Sequence, residues 1–276
     1  MATPTLRKHV LPGVLGDLLV DVRTSLALDG GPAIVIAHGF KGFKDWGMFP
    51  VFADRVARAG YSAVSYNASG SGVDESGECV WPERFFGDTF TNSLADLDTV
   101  CDGLHQGQLL PTPPSSLGLV GHSRGGGMAL LAASRRRDVR ALVTWSAIST
   151  LNRWPESTRR EWLDRGYLEV TNSRTGQVLR CSAELLHDLD THREEYDLET
   201  CARKLPIPWL IVHGEEDETV PLLEGRLLAS ACPSAETCFV PGTGHTYGAS
   251  HPLQGRPDPM IEVFDRSLDF LARHLG

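Results

Sequence analysis

The segment Gly121-His122-Ser123-Arg124-Gly125 stands between the apolar run Leu117–Gly121 and a helical stretch, Gly126–Ser134. A G-x-S-x-G turn at a strand-to-helix junction has a mechanical logic. Its glycines sit where side chains would collide, and the turn lifts the Ser123 hydroxyl out of the sheet. The helix N-terminus behind it favours negative charge. An ordinary glycine-rich turn can carry the same letters, so partners are needed. A serine hydroxyl is a poor nucleophile at neutral pH and requires a base, and the base requires a group to orient it. In this arrangement the order is serine, acid, histidine, each on a loop after a later strand. Asp217 follows the run WLIVH in Gly214-Glu215-Glu216-Asp217-Glu218-Thr219-Val220-Pro221, and His245 follows TCFVP in Gly242-Thr243-Gly244-His245. Glu215, Glu216 and Glu218 crowd Asp217, which is preferred for its position midway through the loop. Among competing bases, His251 is nearest, His213 ends a strand and His122 adjoins the nucleophile. His245, between small residues, suits a mobile proton carrier better.

Acyl transfer also needs donors aimed at the developing oxyanion. The run AIVIA ends in His38-Gly39-Phe40, where a glycine lets a peptide N–H turn toward a pocket. The expected donors are the backbone N–H groups of Phe40 and Arg124. Phe43, Trp145, Trp154 and Tyr247 fall near strand ends or in a polar insertion and are the expected substrate-binding residues. His187, Asp188, Asp190 and His192 read as a solvated helix face, so no metal is expected.

These residues need a scaffold that brings several strand ends together. The chain alternates short apolar runs with amphipathic stretches, the pattern of an α/β protein with a mostly parallel sheet covered by helices. Strands are expected at Leu18–Val22, Ala33–Ala37, Ser62–Tyr66, Leu117–Gly121, Ala141–Trp145, Trp209–His213 and Thr237–Val240. Helices are expected at Phe49–Ala59, Ser93–Leu104, Gly126–Ser134, Leu222–Ala231 and Met260–Leu275. From about Thr150 to Leu205 the alternation stops and charge rises. There WPESTRREWLDRG and SAELLHDLDTH look helical, and YLEVTNSRTGQVLRCS reads as two strands around a turn at Ser173–Gly176. The expected organisation is a core of 1–149 and 206–276 with an inserted cap or lid of 150–205. Ligands of open α/β sheets bind at the carboxyl edge, which favours a lid over a remote decoration.

The composition narrows the function. The chain has 276 residues, 41% hydrophobic and 22% charged, with a net charge of −9. A phosphate backbone needs a concentrated basic surface, so nucleic acid is not an expected partner. The cluster Arg135-Arg136-Arg137 reads as the solvated end of a helix. No run approaches the roughly 18 apolar residues of a membrane span, and no secretory h-region is visible near the N-terminus, so a cytoplasmic location is expected. Six scattered cysteines without a C-x-x-C pair suggest free thiols, with a Cys232–Cys238 bridge the one pairing left open.

HGF at 38–40, GHSRGG at 121–126, HGEEDETVP at 213–221 and GTGH at 242–245 resemble the α/β-hydrolase superfamily. The nearest branch is that of esterases and serine aminopeptidases, including capped cinnamoyl- and feruloyl-type carboxylesterases. The resemblance runs from about Leu18 to Leu275, outside the insertion. It implies a sheet of about eight strands, an acyl-enzyme mechanism and no cofactor. Arg124 and Lys41 depart from many relatives and would bring positive charge to the pocket rim. The resulting expectation is a serine hydrolase of carboxylic esters with small to medium, possibly aromatic, acyl groups. An aminopeptidase, thioesterase or acyltransferase would use the same triad. An aminopeptidase also needs an acidic anchor, for which Glu194, Glu195 and Asp197 are candidates. A non-catalytic ligand receptor on the same fold is the alternative from another class. The expected partner is a small-molecule ester, and the oligomeric state is not readable.

Overall fold

Runs such as AIVIA and WLIVH, with no polar alternation, are stable as strands only when both faces are covered. The computed structural model, which describes residues 3–25 and 30–276, buries them between two layers of helices. In chain order the elements begin with β1 (Thr5–Pro12), β2 (Asp17–Thr24), β3 (Ala33–Ala37), α1 (Phe49–Arg58), β4 (Ser62–Asn67), α2 (Pro82–Phe86) and α3 (Phe90–His105). They continue with β5 (Leu117–His122), α4 (Arg124–Arg135), β6 (Val139–Trp145), α5 (Glu156–Arg165), β7 (Tyr167–Thr171), β8 (Val178–Ser182), α6 (Glu184–Thr191) and α7 (Leu198–Lys204). β9 (Trp209–Gly214), α8 (Leu222–Ala231), β10 (Glu236–Val240) and α9 (Asp258–Leu275) complete the chain.

Eight strands form one sheet in the order β1-β2-β4-β3-β5-β6-β9-β10. β2 pairs antiparallel with both β1 and β4, and the remaining pairings are parallel. Alternate residues feed two cores. Ile34 and Ile36 face the layer of α1 and α9, while Ala33, Val35 and Ala37 face the opposite one. The chain leaves β3 toward β4 on one side and returns at β5 on the other. The crevice between the ends of β3 and β5 is therefore a topological switch point, where such sheets bind ligands.

Each expected strand is present, to within two residues at either end. Among the described residues, four elements have no counterpart in the expectation: β1, α2, α7 and a single 3-10 turn at Ser69–Ser71. β1 is an edge strand whose residues Thr5–Lys8 are all exposed, so it carries no apolar run to read. The six cysteines are all free, so Cys232 and Cys238 are not bridged. Arg136 is not merely the solvated end of a helix, because its guanidinium pairs with Asp98, Asp102 and Asp138.

The segment 150–205 holds α5, the β7–β8 hairpin, α6 and α7, outside the main sheet. Trp162 is its packing centre, fully buried with Nε1–H donating to Cys181 O at 2.9 Å. Leu179, Leu186 and Leu198 join the same apolar cluster as Leu131 and Ile148 of the core, so the segment is packed onto the sheet layer. Among the described residues, no helix is long and apolar enough to cross a membrane.

Candidate active site

Ser123 lies between β5 and α4 with φ 57° and ψ −122°, a conformation that costs an L-residue energy and persists only when its surroundings impose it. The imposition is steric. A Cβ on Gly125 would meet Ala37 O at 2.5 Å, and one on Gly126 would meet the Ala147 side chain at 2.6 Å. Only glycine permits α4 to start this close to β3 and to the end of β6. Ser123 N–H donates to Trp145 O at 2.9 Å, and Ser123 O accepts from Gly126 N–H at 3.0 Å, so the peptide is held on both sides. The side chain is left facing a cavity above the sheet.

Asp217 and His245 arrive on the loops after β9 and β10. These loops touch at Gly214, where a Cβ would meet Thr243 O at 2.5 Å and Gly244 O at 2.6 Å. His245 Nδ1 and Asp217 Oδ2 are 2.8 Å apart. Because the carboxylate only accepts, it is Nδ1 that carries the proton, and the neutral imidazole has its lone pair at Nε2. The other carboxylate oxygen accepts from Thr219 and Val220 N–H groups, both at 2.9 Å. Burial alone would raise the Asp217 pKa, but the bonds from His245 and Val220 outweigh it and hold the carboxyl below its ordinary range. Glu215, Glu216 and Glu218 are all exposed, which separates them from the buried Asp217.

Two further histidines brace this pair. His122 Nε2 donates to His245 O at 2.9 Å, and burial followed by the charge of His245 lowers its pKa to about 3, so it stays neutral. His213 is fully buried, donates to Val220 O at 2.7 Å, and is lowered by burial. It shapes the same turn that presents N–H groups to Asp217. Neither histidine was expected to take part. Their position beside a nucleophile and at a strand end was the only sequence signal.

Phe40 and Arg124 line the cavity with Ser123 and His245. Among the described residues, neither spends its backbone N–H on another backbone acceptor. His38 fixes the Phe40 loop: Nδ1 donates to Gly39 O at 2.9 Å, and Nε2 accepts from Ala68 N–H at 3.1 Å. A Cβ on Gly39 would meet Ser123 Cβ at 3.0 Å, so the glycine sets the approach of this loop to the serine. The cavity measures about 520 Å³. Its apolar wall includes Trp46, Phe49 and Phe90 from the core, and Leu151, Trp154 and Leu185 from the segment 150–205 or its edge.

The family model for serine aminopeptidase (S33) matches residues 31–166. A putative hydrolase from Agrobacterium vitis superposes with a TM-score of 0.74 at 18% identity, over 96% of this chain and 99% of that one. Est1E from Butyrivibrio proteoclasticus, solved with ferulic acid bound, gives 0.67 at 20% identity, over 93% and 96%. The acylaminoacyl peptidase of Pyrococcus horikoshii gives 0.67 at 18% identity, over all of this chain but 42% of that one. The chain has the α/β-hydrolase fold.

The wall of the cavity differs from the expected one. Of the four expected substrate-binding residues, Trp154 lines it and the other three do not. Trp145 is fully buried on the α1 and α9 side of β6, edge-on to Phe52 and stacked on Phe264, with Nε1–H donating to Ser267 Oγ at 2.9 Å. Tyr247 has φ 55°, which turns its ring beneath the loop; its hydroxyl reaches Ser146 Oγ at 3.0 Å and Val212 O at 3.2 Å. Phe43 is buried against His251 and under the Arg174 guanidinium. The Arg124 guanidinium is also not free at the rim. It pairs with Asp88 at 2.7 Å and donates to Ser93 Oγ at 2.8 Å.

Proposed function

We propose that this protein is a serine esterase that cleaves carboxylic esters through an acyl-enzyme, with Ser123 as nucleophile, His245 as base and Asp217 as its orienting acid. The observation that carries the reading is the 2.8 Å His245–Asp217 hydrogen bond opening onto the cavity that also presents Ser123 on its strained turn. His245 Nε2 takes the Ser123 proton as Oγ bonds to the ester carbonyl carbon. The oxyanion rests on the Phe40 and Arg124 N–H groups. Collapse breaks the ester C–O bond, and the alcohol leaves with the proton from His245. Water then repeats the sequence, releasing the acid and restoring the serine. In this reading the segment 150–205 acts as a cap, since it supplies part of the cavity wall.

The choice of esters over peptides with a free amino terminus rests on charge. An aminopeptidase must hold an ammonium group, and no Asp or Glu is among the described residues lining the cavity. Glu195 pairs with Arg135 outside it, and Asp197 caps α7 by accepting from Thr200 N–H. The aromatic and aliphatic wall suits an apolar acyl group.

The test is hydrolysis of 4-nitrophenyl acetate, butyrate and octanoate and of methyl ferulate by wild type and Ser123→Ala. Turnover by wild type and background rates for the variant are expected. Equal turnover by both proteins would remove Ser123 from the mechanism.

A further inference from the structure

Four cationic side chains, Lys41, Arg124, Arg153 and Arg174, line the cavity, and no carboxylate among the described residues does so. Three of the four are already neutralised from behind. Arg124 pairs with Asp88 at 2.7 Å, Arg153 with Glu224 at 2.7 Å and Arg174 with Glu78 at 2.8 Å. Lys41 is different. Its one polar contact among the described residues is Nζ–H donating to Thr171 O at 2.8 Å, a neutral carbonyl at the end of β7. An ammonium has three N–H donors, so this contact leaves most of its capacity and all of its charge unanswered.

Its placement is also specific. Lys41 directly follows the proposed oxyanion donor Phe40 and has φ 59°, an uncommon conformation for a residue with a long side chain. Gly42 N–H donates to Gly39 O at 3.0 Å, closing a tight turn from which Lys41 reaches Thr171 at the end of β7. The ammonium lies 5.8 Å from the Phe40 ring, and its bond to Thr171 O joins the Phe40 loop to the segment 150–205.

We propose that the substrates of this site are esters bearing a second, free carboxylate, and that Lys41 is the residue that selects them. The inference rests on the esterase reading and adds the substrate class to it. The apolar wall takes the hydrocarbon body, and the unpaired ammonium at the mouth takes the anionic end, where water still reaches both groups and the desolvation cost stays small. The arginine pairs behind the wall add a positive lining without offering a bare charge.

The experiment compares 4-nitrophenyl hemiglutarate with 4-nitrophenyl valerate, in which a methyl group replaces the carboxylate. Wild type is expected to show kcat/KM about tenfold higher for the hemiglutarate, carried by KM and shrinking with added salt, the size expected for one hydrogen bond to a charged group. In Lys41→Met the ratio of the two kcat/KM values should collapse toward one or below, whatever happens to the absolute rates, and Lys41→Arg should restore most of it. A wild-type preference for valerate, or a ratio unchanged in Lys41→Met, overturns the inference while leaving the esterase reading in place. If wild type cleaves neither ester, calorimetric binding of both to Ser123→Ala separates the two ideas. Preferential binding of the hemiglutarate that is lost in the Ser123→Ala, Lys41→Met double variant keeps the anion site and removes the esterase. No preference removes the anion site too.

Discussion

The turn that carries Ser123 and the segment that walls the cavity are held in place by different physics. At the turn, glycines 121 and 125 bring backbone against backbone, and Asp217 and His245 are fixed by hydrogen bonds within two touching loops. A single methyl group in the wrong place cannot be accommodated there. The segment 150–205 packs by Trp162 and its leucines, but its inner edge meets the core through long side chains: Arg153 to Glu224 and to Thr219 O, Arg174 to Glu78 and Gly77 O, and Lys41 to Thr171 O. Such contacts are individually weak and geometrically forgiving. The proposed reacting groups are thus held by close backbone packing and short hydrogen bonds, whereas the cavity wall hangs on contacts that substitution can retune.

The contrast can be broken most directly at the nucleophile. Ser123→Ala should lower kcat by on the order of 10⁶, read with any 4-nitrophenyl ester that wild type turns over, with unfolding in urea little changed. Asp217→Asn should lower kcat by about 10⁴, because His245 loses the partner that selects its Nδ1–H tautomer. The same substitution tests the pH linkage. The Asp217 carboxyl is held below its ordinary value of 3.8, so it contributes stability above that pH, and the contribution disappears as pH falls through its lowered value. The stability gap between wild type and Asp217→Asn should therefore be full at neutral pH and narrow below about pH 4, as urea titrations across that range would show.

Gly125→Ala tests the steric half of the comparison. Its methyl group would strike Ala37 O and His38 O, which are backbone atoms with nowhere to move. A loss of about 1–3 kcal/mol in urea unfolding, together with loss of turnover, is the expected outcome. Arg153→Ala tests the other half. It removes an ion pair with Glu224 that is partly exposed, so the stability change should stay within about 1 kcal/mol while KM shifts severalfold. A collapse of stability in Arg153→Ala would mean that the segment is clamped as rigidly as the turn.

The same division explains what was legible in the chain. AIVIA is β3 from its first residue to its last, because a fully covered parallel strand has one apolar signature. Ser123, Asp217 and His245 could be singled out because the roles proposed for them demand set residue types after particular strands. Their supports were not. That His213 would shape the Asp217 turn, or that Asp88 would take up the Arg124 charge, depends on which distant loops meet. Trp145 and Tyr247 were misplaced because nearness to a strand end along the chain says nothing about which sheet face a side chain enters. On β6 the alternation sends Trp145 to the α1 and α9 side. At Tyr247 a positive φ reverses the direction. β1 was missed because an exposed edge strand lacks the apolar run that marks the others.

In the proposed mechanism Ser123 alone carries the acyl group. The most direct test is to inactivate the wild-type protein with a 4-nitrophenyl alkylphosphonate, following released nitrophenol, residual esterase activity and the site of modification by peptide mass spectrometry. One nitrophenol per chain, activity lost in step with it, and a single adduct on the peptide containing Ser123 is the predicted result. Complete inactivation with the adduct on another residue, or esterase activity that survives full modification of Ser123, would contradict it.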